Sequence, residues 1–213
     1  MELKKHFITT NRPYTEGTVE VFQQKLKINN VKKATLNITA LGLYEAQING
    51  EKVGDALFTP GFTYYPTHLY YQSYDVTDML TGEDTLVVYL AQGWYCGRFT
   101  FDNKVQIYGE CPAVSWVLTV EDETGEHIYC SDDPSVEAVA SPYDYAGFYD
   151  GEIYNENRKL EIVQPAKFEG YVPEIFEEGI MSVRIREEMP VKSVIKHGEV
   201  TILDFGQNFA GII

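Results

Sequence analysis

The sequence predicts an all-β protein, a jelly-roll-like antiparallel β-sandwich, and three observations carry this prediction. Apolar residues recur at every second position, as they do when one face of a strand is buried. The alternating runs end at turn signals, and no segment shows long helical periodicity. Short strands separated by turns are typical of a sandwich. The core positions that the pattern predicts are Leu36, Ile38, Val88, Leu90, Trp116 and Leu118.

The alternating runs follow one another along the first 158 residues. The run KATLNITALG (33–42) is followed by the tight-turn pair Asn49-Gly50. The run DTLVVYLAQG (84–93) comes directly after the turn TGED. The run PAVSWVLTVED (112–122) ends at ETGE (123–126). Because consecutive alternating strands joined by turns pair antiparallel, we assign residues 1–158 to one sandwich domain.

A change of composition after residue 158 predicts two further parts of the chain. Residues 159–180 contain prolines and glycines but few alternating runs, which indicates a linker extended over the surface. Strand character returns in residues 181–213, which we interpret as the first strands of a second β domain. The chain stops at Ile213 in an apolar run, so we expect a truncated sequence that a further domain once followed.

The apolar residues of this last segment would be costly to leave in water. We therefore expect the segment to dock on the sandwich or to pair with another copy of the chain, so self-association is a predicted property. The residues concerned are Ile202, Phe205, Phe209, Ile212 and Ile213.

The charge balance excludes some partners. With 32 acidic and 17 basic side chains, the formal net charge of −15 argues against nucleic acid and anionic membranes, which need clustered Lys and Arg. Neutral sugars and hard cations such as calcium remain compatible. The start of the chain lacks the apolar region of a secretory signal, and its three cysteines show no disulfide framework. These features predict a cytoplasmic protein with reduced thiols.

Four segments, in order, resemble the N-terminal region of bacterial α-L-rhamnosidases, glycoside hydrolase family 78. The first runs from LGLYEAQING to YQSYDVT within residues 41–80. The second is LAQGWYCGRF (90–99), and the third is YAGFYDGEIYNENRK (145–159). The fourth is DFGQNFAGI (204–212). Their order and spacing extend over most of the chain.

The resemblance implies a fold and an accessory role. In that family the N-terminal region is a jelly-roll-like β-sandwich, and the catalytic acid and base belong to a later (α/α)6 barrel. The resemblance therefore implies a non-catalytic module that needs no cofactor and braces the missing barrel. A similar domain, carbohydrate-binding module family 67, binds rhamnose with calcium. Two departures from the family pattern are Phe62 in place of a tryptophan and Asn155 in place of an aspartate.

Two loops carry the candidate carbohydrate site, because a sugar needs exposed rings for its C–H face and planar polar groups for its hydroxyls. These loops are residues 53–65 and 93–104. The competing interpretation is that Trp94 packs under its own turn, shaped by Gly93 and Gly97. The candidate sugar-binding residues are Tyr64, Tyr65, Trp94, Tyr95, Arg98, Asp102 and Asn103.

The same loops supply the oxygens that a calcium ion would take. Asp55, Asp102 and Asn103 are the candidate ligands, since Ca²⁺ prefers carboxylate and amide oxygens. The acidic residues Asp144, Asp150, Glu152 and Glu156 could in composition serve glycoside hydrolysis, which uses two carboxyl groups. Acidic residues at such a turn are more often solvated or bound to turn amides, so no catalytic residue is assigned.

Five tyrosines crowd into residues 64–74. Alternation predicts that Tyr71 is buried with Leu69, whereas Tyr70 and Tyr74 face a neighbouring loop or sheet. Tyr64 and Tyr65 precede Pro66 in a loop and are the better candidates for a ligand.

Three functions stay open at this stage. The first is an accessory module that also binds rhamnose-containing glycans. The second is a self-sufficient, lectin-like module, and the third is a structural domain without any ligand.

Overall fold

The computed structural model describes residues 3–158, 162–179, 181–209 and 211. The chain divides into two compact units, Met1–Val183 and Arg184–Ile213. Helix is confined to 3-10 turns at Leu3–Lys5 and Thr77–Met79 and to one α-helical turn, α1 (Gly93–Cys96). Within the described ranges, no helix combines the length and apolarity needed to cross a membrane.

The strands of the first unit are short, as a sandwich requires. In chain order they are β1 (Ile8–Thr10), β2 (Val19–Lys27), β3 (Lys33–Leu41), β4 (Leu43–Ile48), β5 (Glu51–Lys52), β6 (His68–Asp75), β7 (Glu83–Ala91), β8 (Ala113–Glu121), β9 (Glu126–Cys130), β10 (Val136–Ala140), β11 (Tyr143–Gly147), β12 (Gly151–Tyr154), β13 (Ile162–Val163), β14 (Pro165–Lys167) and β15 (Glu174–Glu177).

Two main sheets contain most of these strands. One has the order β14-β1-β8-β3-β6-β15, with β9 also paired to β8, and the other has the order β13-β10-β2-β7-β4-β5. The described strand pairs are antiparallel except β6 with β15, which run parallel. Strands β11 and β12 form a separate two-stranded hairpin. The antiparallel β-sandwich prediction is confirmed.

The core lies between the inner faces of the two main sheets. All six predicted core positions are fully buried, at 0% exposure. Trp116 on β8 contacts Phe22 on β2 with their ring centroids 6.4 Å apart, so it joins the two sheets. Its indole Nε1 donates a hydrogen bond to Gln24 Oε1 at 3.1 Å, which satisfies a polar group in an apolar layer.

A second apolar cluster contains Phe7, Leu41, Tyr65, Leu69, Tyr95, Cys96 and Ala113. This cluster explains why Leu41 is buried even though its neighbour Ala40, on the opposite face of β3, already packs in the main core. Leu69 is buried as expected, but the expectation for Tyr71 is wrong. Tyr71 is half-buried, and its hydroxyl donates to Oε2 of Glu177, its register partner on the edge strand β15, at 3.3 Å. The core face of β6 carries the buried Gln72 instead.

The region assigned from sequence to a linker contributes edge strands. Strand β14 pairs with β1, β13 pairs with β10, and β15 pairs with β6. The first compact unit extends to Val183, whereas the predicted end of the sandwich domain was residue 158.

Among the described residues of the second unit there is one hairpin. Strands β16 (Ser193–His197) and β17 (Val200–Asp204) pair antiparallel, and all their residues are exposed. The Asp204 carboxylate accepts from the Gly206 amide at 2.7 Å and from Ser193 Oγ at 3.2 Å, which closes the open end of the hairpin. Of the predicted apolar tail, Ile212 and Ile213 lie outside the described residues.

Candidate functional site

Four aromatic residues, from two loops and the helical turn α1, meet on the surface of the first unit. We call Phe58, Phe62, Trp94 and Phe148 the aromatic patch. Trp94 is stacked on Phe148, with centroids 4.6 Å apart and planes inclined by 27°. Phe58 lies 6.2 Å from Trp94 and 5.7 Å from Phe148, and Phe62 lies 5.9 Å from Trp94. Phe62 is 48% exposed and Phe148 40%, so the patch is open to solvent.

The loop that carries Phe58 and Phe62 is held by the strands beneath it. Thr59 Oγ1 donates to the Tyr44 carbonyl at 2.7 Å, and the Tyr44 amide donates to the Thr59 carbonyl at 2.8 Å. Gln72 Nε2 donates to the Pro60 carbonyl at 3.2 Å. These buried hydrogen bonds fix the loop on β4 and β6, so the two phenylalanines project from a rigid base.

Trp94 is positioned by a glycine that no other residue can replace without strain. Gly93 has a φ of +51°, and a Cβ there would lie 2.6 Å from Leu43 Cγ. The glycine therefore lets α1 pack directly against the start of β4. Trp94 itself is half-buried. It packs on the second apolar cluster, as the competing interpretation expected, and it also contributes to the exposed patch.

Buried tyrosines support the patch from below. Tyr65 is 2% exposed and contacts Tyr95 and Tyr108, with ring centroids 5.2 and 5.1 Å away. Burial, followed by the neighbouring Cys96 thiol, raises the pKa of Tyr95 to about 12. The same causes raise the pKa of Tyr65 well above its usual range, so both phenols stay protonated. The rings of Tyr65 and Tyr95 are not available to a ligand, which corrects their assignment as sugar-contacting residues.

Charged groups form a rim beside the patch. Arg98 makes an ion pair with Asp150, and its Nε lies 3.6 Å from Glu16 Oε1. The Tyr145 hydroxyl donates to Asp150 Oδ2 at 3.0 Å. The guanidinium of Arg98 also lies 5.6 Å from the centre of the Tyr149 ring, within the range of a cation–π contact. The rim thus offers a guanidinium, a carboxylate and phenols next to exposed rings.

The remaining predicted sugar-binding residues lie on exposed loops. Tyr64 is 58% exposed, and its carbonyl accepts from the Thr67 amide at 2.9 Å. Asp102 is exposed, and the Lys104 ammonium is 3.5 Å from its Oδ2. Asn103 follows in a turn with a φ of +55°. Of the seven predicted residues, the structure thus brings Trp94 into the patch and Arg98 to its rim.

The three predicted calcium ligands lie in two exposed bends. Asp55 follows β5, and Asp102 and Asn103 lie in the turn after α1. The Lys104 ammonium offsets the charge of Asp102, which works against a cation there. In the described part of the chain, one cluster of three His, Cys, Asp or Glu side chains has metal-site spacing, and it includes neither Asp55 nor Asp102. Calcium binding stays a prediction.

The contribution of Phe58, Phe148 and Glu16 to this surface was not predicted from the sequence. A signal existed for Phe148, because it lies in the third family-like segment, to which no role was given. Of the acidic residues considered for hydrolysis, Asp150 pairs with Arg98, and Asp144 lies 3.1 Å from Arg158 Nη1. Both carboxylates thus serve ion pairs that hold the β11–β12 hairpin and its surroundings.

The two sheets and the loop-borne patch define the class of the protein as a β-sandwich domain with an exposed aromatic surface. The family described as "Alpha-L-rhamnosidase N-terminal domain" matches residues 29–188. The chain belongs to this family, as its four motifs indicated.

Several relatives carry the same name. An α-L-rhamnosidase of Streptomyces avermitilis is 35% identical over 204 residues, covering 89% of this chain and 20% of the relative. One of Formosa agariphila is 28% identical, covering 86% of this chain and 21% of the relative. The chain therefore spans about a fifth of the length of the curated relatives it matches.

Solved structures show the same fold. The native α-L-rhamnosidase of Aspergillus terreus superposes with a TM-score of 0.85 at 29% identity, over 96% of this chain and 26% of that one. The Streptomyces avermitilis α-L-rhamnosidase complexed with L-rhamnose superposes with a TM-score of 0.81 at 32% identity. This match covers 91% of this chain and 20% of the other.

Proposed function

We propose that the chain is a non-catalytic accessory module of an α-L-rhamnosidase and that its aromatic patch binds rhamnose-containing glycans. The observation that carries the proposal is the patch itself, four rings in contact beside the Arg98–Asp150 pair. A deoxysugar such as rhamnose presents a methyl group and C–H bonds to the rings. Its hydroxyls would bond to the guanidinium and carboxylate of the rim.

Buried polar atoms near the patch support a polar ligand or bound water there. Thr63 Oγ1 belongs to the loop that carries Phe62. Arg98 Nε and Thr100 Oγ1 belong to the loop that follows Trp94. Within the described residues these three buried atoms make no hydrogen bond, and buried polar groups normally have a partner. Three such atoms in the two loops that build the patch suit a hydroxyl-rich occupant or a bound water.

The absence of catalysis is part of the proposal. Retaining and inverting glycosidases need two carboxyl groups facing the bond, one of them able to donate a proton. The carboxylates of Asp150 and Asp144 are each engaged by an arginine, Arg98 and Arg158 respectively. We expect no turnover of aryl rhamnosides by the purified chain. Turnover that survives purification and disappears in Asp150→Asn would contradict this.

Calorimetric titration with L-rhamnose tests the binding proposal, with and without added calcium. We expect saturable binding by the wild type and at least about a tenfold loss of affinity in Phe148→Ala. The magnitude is taken from aromatic side chains that stack on nucleic-acid bases, each of which contributes on the order of 1–3 kcal/mol. The matched control is Tyr171→Ala, an aromatic residue that is 68% exposed outside the patch. Equal affinities of the two variants would contradict a role for the patch. A dependence on calcium would separately support the predicted ion.

The alternative is a purely structural role, in which the aromatic patch packs on another part of a longer rhamnosidase. The exposed apolar rings favour this alternative, since such surfaces are commonly protein interfaces. The same titration discriminates, because a structural surface would give no heat with rhamnose in either condition.

A further inference from the structure

We propose that His6, Cys130 and Asp132 form a site for a soft or borderline divalent cation, with zinc as the natural occupant. Each residue offers one ligand atom, and the three atoms lie within 4.8 Å of one another. His6 Nδ1 is 2.7 Å from Asp132 Oδ1. The cluster lies at the end of β9, and none of its members belongs to the aromatic patch.

The three side chains are brought together by a backbone that is fixed independently of any metal. Ser131, which lies between Cys130 and Asp132 in the chain, is fully buried. Its Oγ donates to the His6 carbonyl and accepts from the Trp116 amide at 3.2 Å. Ser115 Oγ donates to the Leu3 carbonyl at 2.7 Å, which holds the 3-10 turn before His6 on β8. The ligand-bearing segments are therefore pre-organised against the core.

The ligand chemistry selects the ion. A thiolate, an imidazole and a carboxylate suit Zn²⁺, which binds them at 2.0 to 2.3 Å and leaves a fourth tetrahedral position for water. Ligand atoms around such an ion lie about 3.5 Å apart. The His6 and Asp132 atoms, now 2.7 Å apart, would separate slightly, and the Cys130 sulfur, which lies within 4.8 Å of both, would move towards them. Asp132 is exposed and can make this adjustment. Ca²⁺ and Mg²⁺ prefer an all-oxygen shell and would be excluded by the thiol and the imidazole.

Binding would replace the His6–Asp132 hydrogen bond by coordination. The proton that Nδ1 donates in that hydrogen bond would move to Nε2 by way of solvent, and the thiol proton would be released to solvent, because the unprotonated ring nitrogen and the thiolate are the ligands. The thiol of Cys130 is in the reduced form that this step requires. The ion would then join residues 126 positions apart in the chain, the segment before β1 and the turn after β9.

Cobalt titration of the 213-residue chain, without any histidine tag, tests the site by its absorption. We expect a thiolate-to-cobalt charge-transfer band that saturates at one ion per chain and is bleached by zinc. Cys130→Ser should lose the band. Cys111→Ser is the matched control, because Cys111 is also a half-buried thiol but lies outside the cluster. It should keep the band unchanged.

A second variant, Asp132→Asn, tests the site even if Cys130→Ser does not fold. Asp132→Asn changes an exposed side chain and should weaken cobalt binding by at least about tenfold while the metal-free thermal midpoint stays near that of the wild type. Zinc should raise the thermal midpoint of the wild type and of Cys111→Ser but not of Cys130→Ser. A wild-type chain without a charge-transfer band, a band that persists in Cys130→Ser, or equal affinities of Asp132→Asn and the wild type would overturn the proposal.

Discussion

Trp116 joins the two sheets through its apolar ring and through its indole N–H group. Its ring fills the space beside Phe22, and its indole N–H satisfies Gln24, whose amide group in turn donates to Ser135 Oγ at 3.2 Å. A substitution at this position therefore removes packing and also leaves the Gln24 oxygen without its buried donor.

We expect Trp116→Ala to lower the free energy of unfolding by about 3–5 kcal/mol, the usual effect of emptying a large aromatic site. Urea denaturation followed by circular dichroism measures the change. Tyr171→Ala serves as the control and should change stability by less than about 0.5 kcal/mol. Similar losses in the two variants would show that Trp116 does not join the sheets.

Gly93 allows a sharper test, because the chain offers a matched glycine. A non-glycine residue in the left-handed region costs roughly 1–2 kcal/mol. Gly93→Ala should lower the free energy of unfolding of the first unit by more than this, because the new Cβ would also meet Leu43. Gly50 has a φ of +83° but nothing within 4 Å of a Cβ, so Gly50→Ala isolates the backbone term. Thermal unfolding of both variants gives the difference, and equal costs would exclude the steric contribution.

At individual positions, the sequence predicted the core better than the surface. Alternation identifies Trp116 and Leu118 because their burial repeats along one strand. Tyr65 was misassigned because nothing local distinguishes an exposed loop tyrosine from one covered by Tyr95 and Tyr108. Phe58 and Phe148 meet across 90 residues of sequence, and such a contact depends on the tertiary fold.

Among the elements, the turn before β7 depends on a buried carboxylate. Asp84 is 2% exposed. Its oxygens accept from Asn49 Nδ2 at 2.7 Å, from the Thr81 hydroxyl at 2.8 Å and from the Gly82 amide at 2.9 Å. Burial raises the pKa of Asp84, but these hydrogen bonds outweigh it and leave the pKa below the ordinary value for aspartate.

The direction of this shift fixes a pH dependence. Because the folded-state pKa is lowered, the Asp84 carboxylate stabilises the fold above the unfolded-state pKa of about 3.9, and this contribution is lost as pH falls through the folded-state value. We expect Asp84→Asn to be less stable than the wild type at pH 7 and the difference to narrow below about pH 4. Urea denaturation at pH 7 and pH 3 measures it. Asp78→Asn, in an exposed position, is the control, and a constant difference for Asp84→Asn would contradict the assignment.

The edge strands are among the elements that the sequence did not predict. Strands β13, β14 and β15 have two to four residues each, too few for alternation to be recognised. Their pairing partners, β10, β1 and β6, lie far away in the chain. The prolines and glycines around them led to the prediction of a linker, and they carry no information about which sheet edge that part of the chain will cover.

For the whole molecule, we expect a chain that ends at Val183 to keep the thermal midpoint of the first unit. A chain that ends at Arg158 should be destabilised, because it loses three edge strands and exposes the sheet edges of β1, β6 and β10. Differential scanning calorimetry compares the two. Equal midpoints would instead favour the boundary at residue 158.

The exposed β16–β17 hairpin allows a second comparison between the full chain and the chain that ends at Val183. Val194, Val200 and Ile202 are 60%, 60% and 47% exposed, so the second unit presents apolar surface to solvent. We expect the full chain to associate with itself more strongly than the chain ending at Val183, as measured by light scattering over a concentration series. Identical scattering from both would assign no self-association to residues 184–213.

Strand β1, the first strand of the first unit, pairs with β14, and Lys4 Nζ is 2.8 Å from Glu174 Oε1, 170 positions later in the chain. Contacts between residues so far apart in the sequence require the closing of long loops before they can stabilise the fold. The edges of this sheet are therefore completed only when segments from early and late in the unit have met, which is the kind of topology that folds slowly.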